Sequence, residues 1–182
     1  MAAVRTTVLR GLAKAATGAL ALLLSVSTAS LAQPTDVAVK AAFLPRFARY
    51  VTWPPAAMPK AGDPFFLCVV GGDPFGSLLD DAARSQLVDG RRIVVRRMDP
   101  GATADGCQIA FVDGPKATQV LASLTGKPVL TVTDASNDSP RGIIHFTLWG
   151  GRVRFFIDQA SASRRGISIS SRLLALALGV RQ

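Results

Sequence analysis

Three short apolar runs limit what this chain can become: FFLCVV at residues 65–70, CQIAFV at 107–112 and PVLTV at 128–132. Each is of strand length and is followed within two residues by Gly or Asp. Continuous apolarity, in place of in-out alternation, is the pattern of strands covered on both faces. Arg92 to Arg97 reads as a further strand, and helical patterns lie between the runs, PFGSLLDDAAR at 74–84 and Lys116 to Leu124. Strands alternating with helices imply parallel pairing through βα crossovers. Later, Gly142 to Leu148 and Arg152 to Ile157 flank Trp149-Gly150-Gly151, the signature of a β-hairpin. The fold expected is α/β, a mixed, partly parallel sheet flanked by helices, with a late antiparallel hairpin. On the hairpin's second strand Arg152, Arg154 and Phe156 share one face, and Val153, Phe155 and Ile157 the other.

Ahead of the first run, Thr35-Asp36 can cap a helix in which Val39, Phe43, Phe47 and Val51 recur every fourth residue. Lys40, Arg46 and Arg49 lie off that stripe. Pro45 should kink the helix or mark a late start, because it lacks an N–H and crowds the preceding turn. Residues 54–64 and 135–142 are loops by their Pro, Gly and Asn content. A short helix at 161–165, a short strand at 166–169 and a final helix at 171–178 close the chain.

Arg5, Arg10 and Lys14, an uncharged stretch from Ala15 to Leu24, and Ser30-Leu31-Ala32 follow the order of a secretory signal peptide. Cleavage is expected after Ala32, leaving residues 33–182 as one domain. That removes three of the 21 basic residues and none of the 12 acidic ones, all Asp, so the net charge goes from +9 to +6. The remaining positives are scattered in pairs such as Arg96-Arg97 and Arg164-Arg165 and give nucleic-acid binding little support. A surface that favours anionic headgroups or an acidic partner stays open. Cys68 and Cys107, an even count on an exported chain, favour a disulfide over two buried thiols. One His beside two Cys is a poor zinc set, and neither a metal nor a cofactor is expected.

The turn VVGGDPFG stands where α/β proteins hold phosphates, yet it lacks both the G-x-G-x-x-G fingerprint and the Gly-Lys-Ser/Thr ending of a P-loop. An ordinary βα turn is expected there, with Asp73 as N-cap and Pro74 as first helical residue. His145 alternates with apolar neighbours in a strand, no nucleophile elbow surrounds any serine, and Asp80-Asp81 point apart on a helix. No catalytic site is expected. What remains is binding, through exposed aromatic and Arg side chains: Trp53 after the first helix, Trp149 in the hairpin turn, Arg152 and Arg154 on one strand face, and Arg46 and Arg49 on the first helix. For Trp53 the alternative is packing under the loop that follows.

KAAFLPRFARYVTWP (40–54), FLCVVGGDPFG (66–76), CQIAFVDG (107–114), PVLTVTD (128–134) and GRVRFFIDQASASRRGISISSRLLALA (151–177), in this order, resemble the YfiR family of exported bacterial proteins. The resemblance implies a periplasmic repressor of an inner-membrane diguanylate cyclase, whose release raises cyclic di-GMP and favours biofilm. It also implies an α/β domain that tends to dimerise and answers to an outer-membrane lipoprotein. The family's first- and third-strand cysteines match Cys68 and Cys107, while a second pair that some relatives carry near the hairpin has no counterpart here. The alternative expectation is a periplasmic small-ligand sensor using the cleft near Gly71 to Gly76.

Overall fold

The computed structural model describes residues 34–135 and 140–182; the expected signal peptide and part of the 135–142 loop lie outside the described residues. Helix α1 (Asp36–Phe47) opens with the Thr35 hydroxyl accepting from the Ala38 N–H at 3.2 Å. The helix runs through Pro45, and a 3₁₀ turn (Ala48–Tyr50) leads into the two-residue strand β1 (Val51–Thr52). Pro45 thus sits in the last turn, where it cannot donate the i to i−4 bond to the Ala41 carbonyl and the helix ends two residues later. A second 3₁₀ turn (Pro55–Ala57) precedes β2 (Phe65–Val70), α2 (Ser77–Arg84), β3 (Leu87–Val88), β4 (Arg91–Met98), β5 (Ile109–Val112) and α3 (Ala117–Ser123). The chain continues as β6 (Leu130–Asp134), β7 (Ile144–Trp149), β8 (Arg152–Asp158), α4 (Gln159–Arg164), β9 (Ser168–Ile169), α5 (Ser171–Leu174) and β10 (Gly179–Arg181).

Eight strands form one mixed sheet in the order β10-β8-β7-β6-β5-β2-β4-β3, and β1 pairs with β9 in a separate antiparallel ribbon. From β4 through β2, β5 and β6 to β7 every neighbour is parallel, and the inner strands β2, β5 and β6 are covered on both faces. One face carries Phe65, Leu67, Ile109, Phe111, Leu130, Val132, Ile144, Phe146 and Phe155, packed with α1 and α2. There Phe43 and Phe47 of α1 meet Phe155 with ring centroids 5.8 and 5.4 Å away. The other face buries Cys68, Val70, Ala110 and Val112 against Ala117, Val120 and Leu124 of α3 and its C-terminal end.

Cys68 in β2 and Cys107 just before β5 are joined by a disulfide, with Cα atoms 6.0 Å apart. Beside it the Gln108 side chain accepts from Phe66 N–H at 2.8 Å and donates to the Ala57 carbonyl at 3.1 Å. The bridge therefore sits where backbone and side-chain bonds already join β2 to the segment entering β5.

Three expectations are corrected. The buried stripe of α1 is Lys40, Ala41, Leu44, Pro45 and Phe47, one position round from the expected Val39 and Phe43 series. Lys40, read as lying off the stripe, is only 6 % exposed and donates to Asp134 at 2.5 Å. Helix α2 begins at Ser77 after Gly76, whose φ of 50° only glycine adopts readily, so Asp73 and Pro74 stand before it. The final helix stops at Leu174, because the Leu178 N–H is taken by the Phe155 carbonyl at 2.8 Å and Gly179–Arg181 pairs with β8 as a strand.

Candidate functional site

Open α/β sheets bind ligands where neighbouring crossovers leave by opposite faces. Here that place lies outside the carboxyl ends of β2 and β5, and it is filled by the chain itself. A Cβ on Gly71, whose φ is +95°, would lie 2.0 Å from the Asp113 carbonyl oxygen, and one on Gly72 2.8 Å from the Asp113 carboxylate. Asp73 then closes the turn, its Oδ1 accepting from Phe75 N–H at 2.9 Å and Gly76 N–H at 3.2 Å. Arg97 of β4 reaches across to Asp73 Oδ2, Asp80 Oδ2 and the Gly76 carbonyl at 2.7, 2.7 and 2.8 Å. Its hydrogen bond holds the Asp80 carboxyl below the usual carboxylate range, and both carboxylates together raise the Arg97 guanidinium. A phosphate arriving here would meet two carboxylates and an arginine already engaged by them. The turn is internal architecture.

His145 is buried on the face of β7 opposite to that of Ile144 and Phe146. Its Nδ1 lies 2.8 Å from the Thr133 hydroxyl, whose oxygen accepts from the Gly142 N–H at 2.8 Å. Burial lowers its pKa, the charge of Arg141 adds to that, and Asp134 opposes it. A neutral imidazole tied to a threonine fixes the entry into β7. Ser161 and Ser170, members of the serine cluster, are occupied at helix starts: Ser161 bonds Asp158 through both N–H and hydroxyl, and Ser170 accepts from Leu173 N–H. Among the described residues no group of three or more His, Cys, Asp or Glu could hold a metal ion.

Asp158 joins three elements: it ends β8, caps α4 by accepting from Ser161 N–H at 2.9 Å, and pairs with Arg181 of β10. Burial alone would raise its pKa, but the hydrogen bonds from Arg181 and Ser161 and the Arg181 charge outweigh it and bring the carboxyl to about 2. A lowered carboxylate pKa contributes stability above the unfolded value, here 3.8, and loses it as pH falls through the folded one. An acid titration of unfolding should therefore show the parent protein losing its advantage over Asp158→Asn between about pH 4 and about pH 2. Parallel curves would mean that the carboxylate is not held by these partners.

The six residues expected to face a partner do not form one patch. Trp53 is corrected: it is 5 % exposed, meets Phe65 edge-on at 5.1 Å, and donates its indole N–H to the Gln108 carbonyl at 3.1 Å. A buried indole with its N–H satisfied belongs to the core. Arg46 and Arg49 are exposed at the end of α1 and in the turn after it, on the side of the sheet that packs Phe155. Trp149, Arg152 and Arg154 are brought together, because Trp149 lies opposite Arg152 and Thr147 opposite Arg154. Directly opposed residues share a face, and on β8 that face alternates with the one bearing Phe155. The hairpin arginines and the α1 arginines thus lie on opposite sides of the sheet.

Two hairpin contributors were not foreseen. Leu148 is 51 % exposed where it pairs with Val153, next to the hairpin turn. Arg141 places its guanidinium 5.0 Å from the Phe156 ring centre, a contact that depends on loop closure and leaves no local pattern. Arg141, His145, Phe156, Val180 and Arg181 line a cavity of about 360 Å³ at the inner end of this face. A family model described as YfiR/HmsC-like matches residues 37–178 of the chain.

Proposed function

The chain belongs to the YfiR/HmsC-like family, which supports a role as a periplasmic regulator, and on that premise we propose that it represses an inner-membrane diguanylate cyclase by binding the cyclase's periplasmic part. Repression lowers cyclic di-GMP and with it biofilm formation. The family match carries this reading; the two exposed arginine patches supply the surfaces. The domain acts as a ligand that prefers the inactive cyclase, and a preference of about 1–3 kcal/mol is a typical coupling. The second reading, a small-ligand receptor, is favoured by the cavity beside Arg141 and His145, since the Gly71 to Gly76 turn is closed.

As partners the proposal includes a second copy of the chain and an outer-membrane lipoprotein that relieves repression. Charge reversal separates the patches. Arg46→Glu with Arg49→Glu, and Arg152→Glu with Arg154→Glu, replace exposed or half-buried side chains and should leave the melting temperature within a few degrees of the parent. At least one pair should raise cellular cyclic di-GMP toward the level of a deletion strain, and should lose the cyclase in crosslinking from periplasm-facing inner membrane. If both pairs repress like the parent, the contact lies outside these patches; if a deletion strain keeps the parental cyclic di-GMP level and the parent captures no cyclase, repression is excluded, and a melting shift with a periplasmic metabolite would then favour the receptor reading.

A further inference from the structure

The β7–β8 hairpin ends in a tip with its large apolar side chains uncovered: Leu148 is 51 % exposed and Trp149 66 %. Gly150 and Gly151, both with positive φ, complete the turn. Successive strand residues point to opposite faces, so Leu148 and Trp149 leave the hairpin on opposite sides. A protein surface laid against either face would cover one of them and leave the other in water. A fluid interface that surrounds the tip covers both.

Charge on the hairpin points the same way. Residues 140–157 contain three Arg and no Asp or Glu. The tip itself, from Leu148 to Gly151, has no charged group to desolvate, and Arg152 and Arg154 follow directly behind it. The nearest carboxylate on the Arg152 face of β8, Asp158, is at the far end of the strand and already engaged by Arg181 and Ser161. An indole is at home at the headgroup level of a bilayer, where its ring is sheltered and its N–H stays wet. Arginine stems lie along the apolar layer while their guanidinium groups reach phosphates.

We propose that the hairpin tip docks on an anionic membrane surface, with Leu148 and Trp149 in the headgroup layer and Arg152 and Arg154 on lipid phosphates. Attachment of this kind is weak, reversible and reduced by salt. It does not rest on the cyclase reading: lipid binding needs no cyclase, and repression by contact needs no lipid.

The test uses the protein as recovered from the periplasm and vesicles of two compositions, phosphatidylethanolamine with phosphatidylglycerol, and phosphatidylcholine alone. Co-sedimentation is expected with the first and not the second. Of the two tryptophans Trp53 is already buried, so a blue shift of emission on vesicles, quenched by brominated acyl chains, reports Trp149. Trp149→Ala and Leu148→Ser should each weaken binding about tenfold, and removal of either arginine about fivefold, with unchanged melting. No binding to the anionic vesicles, equal binding to both compositions, or binding unaltered in Trp149→Ala and Leu148→Ser would overturn the proposal. So would capture of an acidic peptide by the hairpin without vesicle binding. Leu148→Ser that loses vesicles yet still represses the cyclase would leave the proposed function standing, and the opposite pattern would leave only the membrane contact.

Discussion

Replacing Cys68 and Cys107 together by alanine is expected to lower the unfolding free energy by about 4 kcal/mol, the chain-entropy value for a loop of this length. The two cysteines are 39 positions apart in sequence, and in the folded chain their Cα atoms are 6.0 Å apart, within the range a bridge spans without moving the backbone. Cys68 is fully buried and Cys107 nearly so, and the Gln108 network joins the same two segments independently. The folded structure thus already holds this geometry, and the bridge acts mainly by restricting the unfolded chain. Urea unfolding of the double variant, beside the parent with and without reductant, measures the loss. Abundance in the cell should fall with stability; a variant as stable as the parent would show that the bridge does not stabilise the fold.

Removing Lys40 or Asp134 singly is expected to cost about 3–5 kcal/mol, the range for breaking a buried ion pair. Their side chains are 7 % and 8 % exposed, so Lys40→Ala would leave a buried carboxylate at the end of β6 without the ammonium that faces it. Replacing both by apolar groups of similar volume removes both buried charges, and Lys40→Met with Asp134→Leu should recover part of the loss. Urea midpoints of the two single variants and the double one give the coupling directly. Additive losses would mean that the pair is not a unit.

The central strands were legible because each is a continuous apolar run, and burial on both faces of a parallel sheet demands that composition. The hairpin was legible from Gly150-Gly151 between two alternating segments, and with it the shared face of Arg152 and Arg154, whereas Trp149, expected in the turn, is the last residue of β7 and lies opposite Arg152. What failed depended on partners distant in sequence. Lys40 is polar by every local measure, yet its carboxylate is 94 residues away and turns the buried side of α1 by one position. Trp53 was offered as an anchor because nothing nearby showed that the Gln108 carbonyl would take its N–H. Strands β1, β3 and β10 are two or three residues long, too short for a period, and form only against a partner strand. The Arg97 clamp on Asp73 and Asp80 likewise joins residues of three segments.

The close approach of the turn after β2 to Asp113 fixes where this scaffold can be altered. With 2.0 Å between a Gly71 Cβ and a backbone oxygen, grafting a phosphate-binding loop onto this turn would require the loop after β5 to be rebuilt at the same time. Two coordinated insertions separate the chain from the nucleotide chemistry its topology suggests, whereas the hairpin tip can exchange Leu148 and Trp149 one at a time with little effect on the interior. New specificities should therefore be sought by diversifying the hairpin, in libraries that leave the glycine turn untouched.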